Sequence, residues 1–145
     1  MVWDKDGGAP RHEKAAQQVF FAVADAYREA NNLDVAPEAS AGNGPVDFKS
    51  SAGYSLRIPV KLKKSTNSAV VTGYTHQLEI YKDADETTHA HYIVIDYGRH
   101  SALTKRRLSD AHDAAAKTRK GASRIRYVDA SPKASASRRQ AKAAP

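Results

Sequence analysis

A chain of 145 residues has the length of one domain and can bury a substantial core. It has no cysteine, which excludes a disulfide framework and any thiolate-held metal and fits a cytoplasmic protein. A net charge of +7 points to an anionic partner, while no apolar run reaches the ~18 residues of a membrane span and no apolar signal core opens the chain.

Residues 1–10 hold Asp, Gly-Gly and Pro without periodicity and read as a flexible lead-in to a domain over 11–130. From Arg11 to Ala30 the residues Ala16, Val19, Phe20, Val23, Tyr27 and Ala30 recur at three- and four-residue steps, the pattern of an amphipathic helix. Glu13 lies near that stripe; it either favours the positive helix terminus or faces a metal. Leu33 to Ala36 is a short candidate strand, and 38–45, which begins with Glu38, is a turn region.

Val46 and Phe48 alternate with Asp47 and Lys49, so strands near 45–50 and 54–63 are expected to form a hairpin with a tight connection at Ser50–Gly53. Pro59, lacking an N–H, marks an edge, a bulge or an unpaired position. Val60 and Leu62 alternate with Lys61 and Lys63, which gives a strand with one polar face. Asp47, Lys61 and Lys63 are then expected on one side of neighbouring strands, with Lys64 on the other. An ion pair at a sheet edge explains such a grouping, and so does a site that cleaves phosphodiesters.

Ser65 to Ser68 offers N-caps for a second helix to about Asp85, with Val70, Tyr74, Gln77, Leu78 and Tyr81 on its inner face. His91 to Tyr97 is the most apolar run and reads as a central strand. His89 and His91 form a His-x-His pair, but no third ligand follows at a useful spacing, so they read as solvent-exposed. A third helix over Ser101–Lys117 places Leu103, Leu108, Ala111 and Ala115 inward and ends at Gly121, and Arg124–Asp129 is the last strand. Residues 131–145 contain Lys133, Arg138, Arg139 and Lys142 and no apolar side chain larger than Ala, the composition of a disordered basic tail.

Asp47, the strand ending Leu62-Lys63, and the helix segment Gln77-Leu78-Glu79-Ile80-Tyr81 together resemble the PD-(D/E)xK restriction-endonuclease-like superfamily, in its RecB-type branch. The resemblance spans about Glu13 to Asp129. It implies an α/β fold with a restriction-endonuclease-like core, a four-stranded mixed sheet flanked by helices. It further implies that Asp47 and an acidic residue two before the lysine bind Mg²⁺, and that Lys63 positions or activates the attacking water. A helix residue matching Glu13 completes such a site, and Gln77 and Tyr81 match residues that orient it. The acidic position, however, holds Lys61.

Mg²⁺ needs oxygen ligands, and an ammonium there both fails to ligate and repels the cation. Reading Lys61 as the family lysine instead puts Pro59 at the acidic position, again without a carboxylate. Glu13 or Glu38 would have to substitute, since Glu79 is two residues from Gln77 and faces elsewhere. The expectation is a protein acting on nucleic acid, DNA first, as an impaired Mg²⁺-dependent endonuclease. The alternatives are a non-catalytic nucleic-acid- or partner-binding module held by an Asp47–Lys61 ion pair, and an interaction protein whose tail attracts anions. A homodimer is left open.

Overall fold

In a computed structural model, residues 17–24, 34–37, 48–52 and 56–132 are described. One five-stranded sheet organises them, in the order β1 (Asp34–Pro37), β2 (Phe48–Ala52), β3 (Leu56–Lys64), β4 (His91–Asp96), β5 (Arg124–Asp129). β2 runs antiparallel to both of its neighbours, β1 and β3, whereas β3, β4 and β5 are parallel. The molecule is thus mixed α/β, with a three-stranded parallel segment flanked by helices. The sheet has five strands where the resemblance implies four.

Parallel neighbours need crossovers, and helices supply both. A continuous helix links β3 to β4, made of α2 (Val70–Thr72), a π-helical turn (Gly73–Gln77) and α3 (Leu78–Ala84). α4 (Ser101–Ala116) links β4 to β5. Successive crossovers of one hand that step the same way along a sheet lie on the same face. Val70, Tyr74, Leu78 and Leu108 accordingly share one core cluster with Tyr92 and Val94 of β4. The opposite face packs Val60, Leu62, Ile93, Ile95 and Tyr97 against Phe20 and Phe21 of α1 (helical over 17–24). No described helix is long and apolar enough to cross a membrane.

The carboxyl ends of the strands are tied to α4 by polar groups. Ser65 N donates to Ile95 O at 2.8 Å, Tyr97 N donates to Ser65 Oγ at 3.1 Å, and buried Thr104 donates to Ser65 O at 3.4 Å. Asp96 accepts from Gly98 N at 2.9 Å and from Ser101 Oγ at 2.6 Å, and pairs with Lys105 Nζ at 2.7 Å. Burial by itself would raise the Asp96 carboxyl, but the bonds from Lys105, Ser101 and Gly98 outweigh it and hold it below its ordinary value. The same contact raises Lys105.

Several sequence expectations are corrected. α1 half-buries Gln17, Phe20, Phe21 and Ala24, while Val19 and Val23 are exposed: two adjacent aromatics bury more area than two valines and set the helix rotation. On α4, Leu103 is exposed and Thr104 takes the buried place because Ser65 O accepts its hydroxyl. Ser50 to Ala52 is strand paired with Leu56 to Ile58, so the hairpin connection lies beyond Ala52. β3 is an interior strand, and its parallel ladder begins at Val60, one residue past Pro59, so the missing N–H falls before that ladder. Gly121, at φ 67°, closes the turn after α4 and its N–H donates to Thr118 O, while the helix itself ends at Ala116 with Lys117 as its C-cap.

Candidate active site

β3 carries alternate residues to opposite faces, and neither face is the solvent face that the sequence pattern suggests. Leu62 enters the core under α1, while Lys61 and Lys63 enter the side covered by the β3–β4 helix. Lys61 is only 7 % exposed, and its Nζ stands 5.7 Å from the centroid of the Tyr81 ring. A cation over a ring face in a desolvated setting contributes on the order of 1–2 kcal/mol. This contact is one reason that an ammonium is accommodated under a helix.

The π-helical turn sets the height of the helix above Lys63. A Cβ built on Gly73 would lie 2.5 Å from Tyr92 Oη and 3.4 Å from Lys63 Cε, so glycine alone permits this approach. Tyr92 fixes the same point, because its hydroxyl donates to Val70 O and its ring meets Tyr74 edge-on at 5.5 Å. Tyr74 in turn donates to Ser123 O at 3.0 Å, and burial, followed by the nearby Glu79 charge, pushes its phenol up to about 12. Isolated π turns recur at functional sites, where the extra residue re-aims side chains.

Among the residues expected at the site, the structure gathers Lys61, Lys63 and Tyr81 between β3 and the helix. Gln77 is half-buried at the end of the π turn, one turn before Tyr81. Asp47, Glu13 and Glu38 lie outside the described residues; Asp47 directly precedes Phe48, whose register partner Val60 directly precedes Lys61. Glu79 Oε1 pairs at 2.9 Å with Lys82 Nζ, a side chain almost wholly enclosed. Among the described residues no cluster of three His, Asp or Glu could hold a metal ion. The described part of the site sets Lys61 beside the Tyr81 ring and Lys63 beneath Gly73.

Two groups near this site were not singled out from the sequence. Gly73 resembles any helix-interior glycine until Tyr92 is known to lie against it. Asp85 is buried one turn after Tyr81, so Gln77, Tyr81 and Asp85 follow one another at four-residue steps along the helix. That spacing was readable, since it continues the Gln77–Tyr81 step.

The family described as a domain of unknown function, DUF8371, has a sequence model that matches residues 1–99. The match takes in β1 to β4 and the β3–β4 helix, and stops before α4. No curated protein and no solved structure matches the chain. With more than half of its length matched, including every residue of the candidate site, the chain belongs to the DUF8371 family.

Proposed function

We propose that this protein binds nucleic acid, DNA first, on a PD-(D/E)xK-like fold whose nuclease site is impaired. The observation behind this reading is Lys61, enclosed against Tyr81 on the side of β3 that carries Lys63. Two ammonium groups there suit the negative oxygens of a phosphodiester, while the one at Lys61 opposes a divalent cation. The order helix, three antiparallel strands, helix, parallel strand agrees with the superfamily core. Mg²⁺, in this reading, would be held by Asp47 with Glu13 or Glu38 and would supply Lewis-acid polarisation of the phosphate. Lys63 would donate to a phosphate oxygen, and Gln77 and Tyr81 would hold the backbone in place.

Charge distribution supports the choice of partner. Residues 99–126 contain nine Lys and Arg against two Asp, a local balance of +7 that equals that of the whole chain. All nine are exposed, on α4, the turns on either side of it and β5. A second reading, in which the fold is kept for binding alone, draws on the same surface.

The test is a paired assay of Mg²⁺ binding by calorimetry and duplex cleavage, on the wild type and on Lys61→Glu. Lys61→Glu is expected to bind Mg²⁺ and cleave at least tenfold faster than the wild type, and adding Asp47→Ala or Lys63→Ala should remove the gain. A folded Lys61→Glu protein that binds DNA but neither binds metal nor cuts leaves the binding-only reading. Wild-type cleavage that survives Asp47→Ala overturns the site.

A further inference from the structure

At the amino-terminal edge of the parallel strands is a cavity of about 520 Å³. Its lining includes Ile58, His89, His91, Lys120, Ser123 and Arg124, and among the described residues no carboxylate lines it. The ladder builds it: Val60, His91 and Arg124 form one row across β3, β4 and β5, and Ile58 lies two residues before Val60 on the same face. Two loops close the edge, the one leading into β4 and the one after α4.

Ser123 provides the second, independent observation. It is 2 % exposed, and its backbone is pinned because Ser123 O accepts from Tyr74 Oη while the next amide, Arg124 N, donates to Ala90 O at 3.2 Å. Its Oγ is buried and has no hydrogen-bond partner among the described residues. A buried hydroxyl with nothing to bond is uncommon and needs an occupant or a reason. The groups around it are nearly all donors. Arg124 offers a planar fork, His91 an imidazole, and Lys120 an ammonium that holds Asp83 at 2.6 and 2.7 Å.

We propose that this cavity is an oxyanion site that takes one tetrahedral phosphate group, with Arg124 bidentate to two oxygens and Ser123 Oγ and His91 donating to the others. The electrostatics agree. His91 is held below its ordinary value by burial first, then by Arg124, Arg126 and His89, so the site already has an excess of positive neighbours. Facing His91 among the described residues are His89 on its own loop, Arg124 and Arg126 from β5, and apolar Ile58 and Val60 from β3. A bound dianion would reverse the sign of that environment and draw a proton onto His91. The proposal stands apart from the nucleic-acid reading, since the phosphate could be a terminal monoester on a small molecule or a diester within a strand.

The experiment is a titration of the full chain with inorganic phosphate, followed by amide and histidine-ring NMR. Saturable shifts confined to residues 88–91 and 120–124, with His91 protonating at higher pH than in chloride, are expected. Ser123→Ala, which removes the unsatisfied hydroxyl and should leave the fold intact, is expected to weaken phosphate roughly tenfold. Arg124→Gln should weaken it about a hundredfold. A nucleoside 5′-monophosphate saturating these shifts where a dinucleotide without terminal phosphate does not would assign a monoester, and the reverse a diester. Shifts that track ionic strength without saturation, or that persist unchanged in folded Arg124→Gln, overturn the site whatever the fate of Lys61→Glu.

Discussion

β4 and β5 are hydrogen-bonded neighbours of equal length, paired residue for residue from His91 with Arg124 to Asp96 with Asp129. Past its first residue β4 is buried, while β5 is exposed at every position except Ile125. Their compositions differ, β4 being apolar from Tyr92 to Ile95 and β5 carrying Arg124 and Arg126, but the apolar Tyr127 and Val128 of β5 are exposed as well. Position in the sheet makes the difference. β4 has a strand on each side and a helix packed over each face, whereas β5 is the last strand, with no further described strand to pair its outer edge. An unpaired edge invites a second chain, and charge on it is a known deterrent. A two-fold antiparallel pairing of β5 with its copy must centre on a residue. Centring on Arg126 opposes the two Arg126 guanidiniums, and centring on Ile125 opposes Arg124 to Arg126.

The same substitution at paired positions should separate the two strands most widely. Ile95 is 5 % exposed and Val128, its register partner, 44 %. Ile95→Asp is expected to cost roughly 4 kcal/mol or more, because it buries an unpaired charge and removes packing beneath α1. Val128→Asp should cost less than about 1 kcal/mol. Urea midpoints of the two variants measure this, and equal losses would mean that β5 is covered after all.

Asp96 and Asp129 sharpen the contrast at the strand ends. Asp96 is held below its unfolded value by Lys105, Ser101 and Gly98, so its contribution is fully present above that value, about 3.9, and fades as pH falls through the lower folded one. Asp96→Asn should therefore cost about 1–3 kcal/mol at neutral pH and converge on the wild type in strong acid. Asp129, whose Oδ1 accepts from Ser131 N and Ser131 Oγ in an exposed turn, should lose less than about 1 kcal/mol as Asn. Acid unfolding curves of the two variants are the measurement. A pH-independent loss at Asp96 would count against the ion pair.

The smallest effect on stability concerns Arg126. Arg126→Val should change the unfolding free energy by only about 0.5 kcal/mol. It should nonetheless raise self-association visibly in sedimentation as concentration increases, since it takes charge off the outer edge. An unaltered sedimentation profile would mean that something other than Arg126 protects β5.

The strands themselves were legible in the sequence. Arg124 to Asp129 and the run from His91 are bounded by turn residues and alternate or fill with apolar side chains, which are local signals. α4 was legible for the same reason, because His100 and Ser101 follow Gly98 at a clean break in pattern. What was not legible depended on partners far away in sequence. Alternation showed that Lys61 and Lys63 share a side, but nothing local shows that a helix covers that side or that Tyr81 lies over Lys61. His91 was read as exposed and is half-buried, because its surroundings come from β3 and β5. The unsatisfied hydroxyl of Ser123 has no sequence signature at all. Asp47, Glu13 and Glu38 fall outside the described residues, so the carboxylate half of the expected site stays a proposal.

The π turn at Gly73–Gln77 works as a phase adjuster. An α-helix turns about 100° per residue, so one residue more or less in its middle rotates everything downstream by about that angle. Val70 upstream and Tyr74 at the start of the turn must meet the core at Tyr92, while Tyr81 downstream must meet Lys61. The wide turn lets both demands be met on one continuous helix, without a break that would expose backbone. Insertions and deletions are therefore unequal along this segment. A residue lost from the turn before Val70 would be absorbed by the loop, but one lost between Gly73 and Gln77 would swing Tyr81 off Lys61 while leaving the helix intact.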